Sequence, residues 1–461
     1  MTPPTPLPGA GRTRRRPRAL AVALAALTAV VGIALPGQAT TQAQTPDEDR
    51  PVVVLVGTSG LRWDDVHTLS TPTLWDLSRT ASIGTVAARS IRSYACPADG
   101  WLAVSAGARA GDLPGEAYGE CRTLVNPLGG GTVPGWDDYE VSARASGFAP
   151  RIGLLGQVLA DAELSATGIG PGAAIALADP DGLVRGEHRP VPTDPDLLRV
   201  VVGEAITTSD LVVVDAGSVR DIGRATVGRP ATPDDDPEDE DGPETTDHAP
   251  TGEGPTGPEV ITEPTRLEQV RPVDARIGAV LDAVDETGRD AVVLVVSLAD
   301  SGTRARMQLA AARGVLPDDD AYGASLLGSR STRQDGMIQA TDVTPTLLNA
   351  LGVADRAPIG AVVGAPIRPV GGPESANARV TAVLDVDQHS HAVRPITPTF
   401  YTLLIVINLV LYGFVTLGLN GRVMAGVGRV AARLRPGHPQ GPGLRRHPVA
   451  VLHTLRVAAT A

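Results

Sequence analysis

The chain has 461 residues, is 42% hydrophobic and carries a formal net charge of −12, so it can bury the core of one large α/β domain or of two ordinary ones. All its basic residues are arginine and aromatics make up only 3%, which reads as a biased coding composition, since arginine recognition of phosphate needs clustering on a surface. No nucleic-acid partner is indicated, because the arginines cluster only at expected membrane flanks.

The N-terminus opens with Arg12, Arg14, Arg15, Arg16 and Arg18, then ALAVALAALTAVVGIAL (19–35), then the small residues around Gly37-Gln38-Ala39. A basic stretch, an apolar stretch and a small-residue exit have the layout of a secretory signal, so residues 1–44 are expected to be a signal peptide or an uncleaved signal anchor. The chain from residue 45 is expected to lie outside the cytoplasm.

The extracytoplasmic domain is expected over 45–370. PVVVLVG (51–57), LVVVDAG (211–217) and AVVLVVSLAD (291–300) are short, β-branched apolar runs that read as buried parallel strands. Helical patterns lie between them, from residues 72, 154, 196 and 273, with another from 343 and a small-residue helix after Cys96-Pro97. The alternation predicts a doubly wound, mostly parallel sheet with helices on both faces. GAAIALADPDGLV (172–184) predicts a small strand and a turn. In such sheets ligands bind beyond the carboxyl ends of the strands, here Thr58 and Ser59, Asp215, and Ser297 with Asp300.

Between Arg229 and Glu263 twelve carboxylates face one arginine. Residues 229–265 are therefore expected to be a disordered acidic insertion. A calcium loop is the alternative reading, but the Asp-x-Asp-x-Asp-Gly spacing is absent. Cys96 and Cys121 are the only cysteines, and in an oxidising compartment they are expected to pair; a reactive Cys96 is the alternative.

Residues 371–398 are expected to be a juxtamembrane linker and 399–420 a transmembrane helix. YTLLIVINLVLYGFVTLGL (401–419) holds no charge and would span about 28 Å at roughly 1.5 Å per residue. Arg422, Arg429, Arg433, Arg435, Arg445 and Arg446 mark 421–461 as a basic cytoplasmic tail.

Several segments, in order, resemble the alkaline phosphatase superfamily, which includes sulfatases and nucleotide pyrophosphatase/phosphodiesterases. VVVLVGTSGLRWDDV is similar to the first strand and loop, STPTLWDLSRTASIGTV to the Thr-Pro-x-Leu helix and its strand, and SYACPADGWLAVSAG to the nucleophile turn. LGQVLADAELSATGIG, VDARIGAVLDAV and IQATDVTPTLLNALGV come next in sequence, the last carrying Asp-x-x-Pro-Thr-Leu-Leu. The likeness covers residues 51–365. It implies two divalent metals held by Asp and His, and an attacking Ser, Thr or modified Cys.

Position by position, that chemistry is missing. Ser59 stands for the first metal Asp, and Ala95 for the nucleophile. AGSVRDIG, after Asp215, contains no His; Ala299-Asp300-Ser301-Gly302 replaces Asp-His-Gly; STRQDGMIQATD has no His either. Asp215 and Asp300 are left as weak metal candidates, and they cannot build a zinc pair by themselves. No cofactor is expected beyond a weak divalent cation.

The leading expectation is a membrane-tethered, non-catalytic phosphatase-like domain that binds or scaffolds an envelope protein or a cell-wall component. One alternative is a divergent metal-dependent phosphate or sulfate ester hydrolase using Asp215, Asp300, Asp64 or Asp65 and Ser59. Another is the outer module of a larger polytopic membrane protein.

Overall fold

The computed structural model describes residues 50–114, 120–127, 131–221, 226–227, 264–300, 302, 305–318 and 320–419. The expected signal or anchor segment, residues 229–263 of the expected acidic insertion and the expected cytoplasmic tail lie outside the described residues.

The chain runs through β1 (Val52–Ser59), α1 (Pro72–Thr80), β2 (Ser82–Ala87), α2 (Pro97–Ala106), β3 (Cys121–Arg122), α3 (Trp136–Ala145), α4 (Leu154–Asp161) and β4 (Ala166–Ile169). It continues with α5 (Pro171–Leu177), β5 (Glu187–Arg189), α6 (Pro195–Thr208), β6 (Leu211–Ser218), β7 (Thr226–Val227), α7 (Arg266–Thr287) and β8 (Ala291–Ala299). The last part holds β9 (Gln308–Val315), β10 (Ala321–Tyr322), β11 (Leu326–Ser329), β12 (Met337–Gln339), α8 (Val343–Ala350), β13 (Ile367–Val370) and α9 (Ala376–Leu419).

Among the described residues, 11 strands form one mixed sheet in the order β13-β11-β2-β9-β8-β1-β6-β4-β5, with β10 beside β9 and β12 beside β2. Its block β8-β1-β6-β4-β5 is parallel. All eight residues of β1 are buried, as a central strand covered on both faces requires. Val53 and Leu55 face α2, α4, α5 and α8, while Val52, Val54 and Val56 face α1, α6 and α7. The helices thus cover both faces.

Parallel order breaks at β9, which runs antiparallel to both β2 and β8. Its alanine-rich QLAAARGV carries little strand propensity, and burial between two neighbours makes it a strand regardless. The strand expected in GAAIAL is instead α5, where Pro171 occupies the first helical position and alanines continue the helix. The Asp179-Pro180-Asp181-Gly182 turn forms as expected, closed by the Gly182 amide on the Asp179 carbonyl at 2.9 Å.

Helix α7 starts at Arg266, before the expected Val273. A capping box starts it: the Thr265 amide donates to the Glu268 carboxylate at 2.7 Å, and the Thr265 hydroxyl accepts from the Glu268 amide. Pro272 is tolerated inside the helix.

The segment expected as a linker is helical from Ala376 onward. Arg379, Val383 and Asp387 are buried against the domain, and Arg379 donates to the carbonyls of Arg79 at 3.0 Å and Glu374 at 2.8 Å. A cation on the last carbonyls of α1 also suits that helix's dipole. From Ile396 the large apolar side chains of α9 are exposed. Among the described residues, α9 is the one helix long and apolar enough to cross a membrane.

Candidate functional site

The parallel block directs the carboxyl ends of β1, β4, β6 and β8 to one edge, where α2, α5 and α7 begin. Helix α2 can approach closely because Gly100 lies against the backbone of Leu298, where a Cβ would sit 2.8 Å from the carbonyl oxygen. Its first turn is closed. Cys96 caps it and is bonded to Cys121 in a disulfide, as the sequence predicts. The Cys96 amide donates to Asp99 Oδ2 at 2.9 Å, and Arg92 clamps the same carboxylate at 2.8 and 3.0 Å. Ala95, one residue upstream, is buried and has no group to attack with.

Beside this turn lies a cavity of about 470 Å³ whose wall includes Ser59, Trp101, Asp215, Arg122, Arg220 and Arg276. Ser59 is 2% exposed. Asp215 is also buried, and its two oxygens accept from the Gly172 and Gly217 amides, each at 2.9 Å. Burial pushes its carboxyl above the usual range, against the pull of those amides and of Arg276. It ties the end of β6 to the start of α5. Arg122 is engaged by Asp138 at 2.5 Å, whereas Arg276 donates to the Ala216 carbonyl at 3.1 Å. Among the described residues, the cavity wall is apolar apart from these groups and a few hydroxyl and amide side chains, and holds no histidine. His188 sits in β5, where its ring meets the Gly170 carbonyl at 3.2 Å.

Asp300, Asp64 and Asp65 are not in this cavity. They belong to a second feature, a cluster of arginines and carboxylates around the loop after β1. Arg62 reaches Asp221 at 3.0 Å and Asp300 at 3.5 Å. Arg266 grips both oxygens of Asp65, at 2.6 and 2.7 Å, and Asp221 at 2.8 Å. Arg306 pairs with Asp64 and with Asp387 of α9, the latter at 2.7 Å. Backbone amides add to these contacts: Gly302 and Arg306 donate to Asp300 at 3.0 and 2.8 Å, and Met307 to Asp387 at 2.8 Å. Burial works against the charge of Arg266, but the Asp65 hydrogen bond and the Asp65 and Asp221 charges hold its pKa above the ordinary value.

The divalent metals implied by the resemblance do not fit these residues. The negative charge that a cation would need is already matched by guanidinium groups, and every oxygen of Asp65, Asp221 and Asp300 accepts a guanidinium or amide hydrogen bond. Among the described residues no set of three or more His, Cys, Asp and Glu side chains could hold a metal ion. Ser59 and Asp215 line the cavity, whereas Asp300, Asp64 and Asp65 belong to the arginine cluster that adjoins it, where Ser59 of β1 pairs with Ala299 of β8 and the Gly60 carbonyl accepts from Arg266. Arg62, Asp221, Arg266, Arg306 and Asp387 are not distinguished by the sequence pattern; the signal was arginines placed just after a strand or at a helix start.

No protein-family profile matches the chain, and no curated protein matches it. Solved structures similar to it include an alkaline phosphatase superfamily protein from Vibrio parahaemolyticus, at 13% identity and a TM-score of 0.35, covering 74% of this chain and 88% of that one. Murine ectonucleotide pyrophosphatase/phosphodiesterase 5 gives 13% identity and a TM-score of 0.29, covering 54% of this chain and 57% of the other. A protein from Pyrococcus horikoshii gives 13% and 0.33, covering 66% and 97%.

Proposed function

We propose that this chain is a membrane-tethered domain that binds an anionic group of an envelope component at the rim of its sheet and does not cleave esters. The observation that carries the reading is the first turn of α2. Ala95 stands where an attacking group is needed, its neighbour Cys96 is tied to Cys121, and Arg92 and Asp99 close the turn. Beside it the cavity offers guanidinium groups, of which Arg276 makes no ion pair among the described residues. Guanidinium binds carboxylate, phosphate and sulfate oxygens without a metal. The basic flanks of the two apolar segments support an extracytoplasmic domain with a cytoplasmic tail.

Ser59 supports a second reading, a divergent hydrolase. Its hydroxyl is on the cavity wall and makes no hydrogen bond among the described residues. One experiment separates the two. The full chain is purified in detergent, its divalent metal is quantified, and turnover of an aryl phosphate, an aryl phosphodiester and an aryl sulfate is measured beside Ser59→Ala. Binding alone predicts substoichiometric metal, turnover equal to that of the variant, and thermal stabilisation by inorganic phosphate or sulfate that Arg276→Ala abolishes. Stoichiometric metal with turnover lost in Ser59→Ala establishes the hydrolase instead.

A further inference from the structure

Around the loop after β1, three guanidinium groups meet five carboxylates from four parts of the chain. Asp64 and Asp65 come from the loop itself, Asp221 from the end of β6, Asp300 from the end of β8, and Asp387 from α9. Such a gathering of carboxylates at one sheet edge is unstable without positive charge, because like charges this close repel and their hydration is partly lost. Divalent cations supply that charge in many proteins. Here the charge is covalently part of the chain: Arg62 joins Asp221 to Asp300, Arg266 joins Asp65 to Asp221, and Arg306 joins Asp64 to Asp387. Each guanidinium thus bridges two carboxylates, as a shared cation does.

We propose that Arg62, Arg266 and Arg306 are built-in counter-ions occupying the role of divalent cations, so that this rim is ordered without metal and a divalent-cation site is created when one guanidinium is removed. Arg266 is the informative position. It is largely shielded, its guanidinium contacts both oxygens of Asp65, one of Asp221 and the Gly60 carbonyl, and its loss leaves three oxygens and a carbonyl facing one gap. Oxygen donors of that kind suit Ca²⁺ or Mn²⁺ better than Zn²⁺. Arg306 binds Asp387 as well, so the same unit fastens α9 to the rim. None of this depends on whether the neighbouring cavity takes an anion.

The test uses the full chain in detergent after chelation and dialysis, with Ca²⁺ and Mn²⁺ alone as probes. Wild type is expected to unfold at the same temperature with and without chelator and to take up neither ion at millimolar concentration. Arg266→Ala is expected to bind one of them at least tenfold more tightly than wild type, with a cation-dependent rise in its unfolding temperature. Arg271→Ala, an exposed arginine on the same helix outside the cluster, controls for net charge. Equal gains in both variants, or a wild type that is destabilised by chelator and binds either ion, overturn the proposal. If Arg266→Ala does not fold even with cation present, Arg306→Ala, which frees Asp64 and Asp387, is judged by the same criteria together with the wild-type measurement.

Discussion

Asp215 is a buried carboxyl whose two oxygens each accept a hydrogen bond from a backbone amide. Burial raises its pKa in the folded state above the ordinary carboxylate value of about 4. Between those two values the folded domain binds more protons than the unfolded chain, so stability contributed by this group is greatest at low pH and declines as pH rises through the raised pKa. Asp215→Asn does not titrate. Its unfolding temperature, taken relative to wild type, should therefore become more favourable as pH is raised from 4 to 7, whatever constant cost the changed hydrogen bonding brings. A difference that stays flat or falls over that range would show that the amides and Arg276, rather than burial, dominate. The same geometry explains why the residue looked like a metal ligand in the sequence: it lies near the carboxyl end of a buried parallel strand at the expected edge, and only the amides of Gly172 and Gly217 show that both its oxygens already accept hydrogen bonds.

At the scale of elements, the cavity wall depends on how α2 and α5 pack. Trp101 of α2 lies between two glycines, Gly57 of β1 and Gly172 of α5; a Cβ at those positions would stand 2.2 Å and 2.0 Å from its ring. Gly57 meets the benzene end of the indole and Gly172 its pyrrole end, so the ring is packed at both ends. Gly172→Ala should therefore cost about 1–3 kcal/mol, the usual range for overpacking a filled core, read as a lower urea midpoint with an unchanged slope. An unaltered midpoint would mean the indole is free to shift. This clamp was invisible in the sequence, because GAAIAL is a short apolar run whose period does not separate strand from helix. The strands β1, β6 and β8 were legible for the converse reason: continuous Val and Leu runs of that length are characteristic of buried parallel strands. Helices α1, α4, α6 and α8 were legible from their helical patterns, and α1 and α6 also start on a proline, Pro72 and Pro195. Strand β9 was not, since only its two neighbours make alanines extended, and the arginine cluster was not, since its members lie far apart in the chain.

At the scale of the whole molecule, α9 is both a docked element of the domain and a helix long and apolar enough to cross a membrane. At about 1.5 Å per residue its 44 residues span roughly 66 Å, and the helix divides into a part packed on the domain and a part with exposed apolar side chains. The first part is docked through Arg379, Val383 and Asp387, while the exposed apolar part begins at Ile396, beside Pro395 and Pro398. Proline inside a helix removes a hydrogen bond and favours a bend, so the change from docked to exposed coincides with the place where the helix is easiest to deflect. Docking, in contrast, rests on a charge that is only 1% exposed. Arg379 donates to carbonyls of α1 and of the turn before α9, and hydrogen bonds from a charged donor contribute about 1.5–3 kcal/mol each. Arg379→Met keeps the apolar stem and removes the donors. Hydrogen exchange of the full chain in detergent should then show amides of residues 380–392 losing protection while those of β1 keep theirs, because the first part of α9 detaches as a unit and the sheet does not. Protection lost equally in β1 would mean that α9 is part of the domain's cooperative core. Protection retained in 380–392 would mean that the Asp387–Arg306 pair alone holds the helix to the rim.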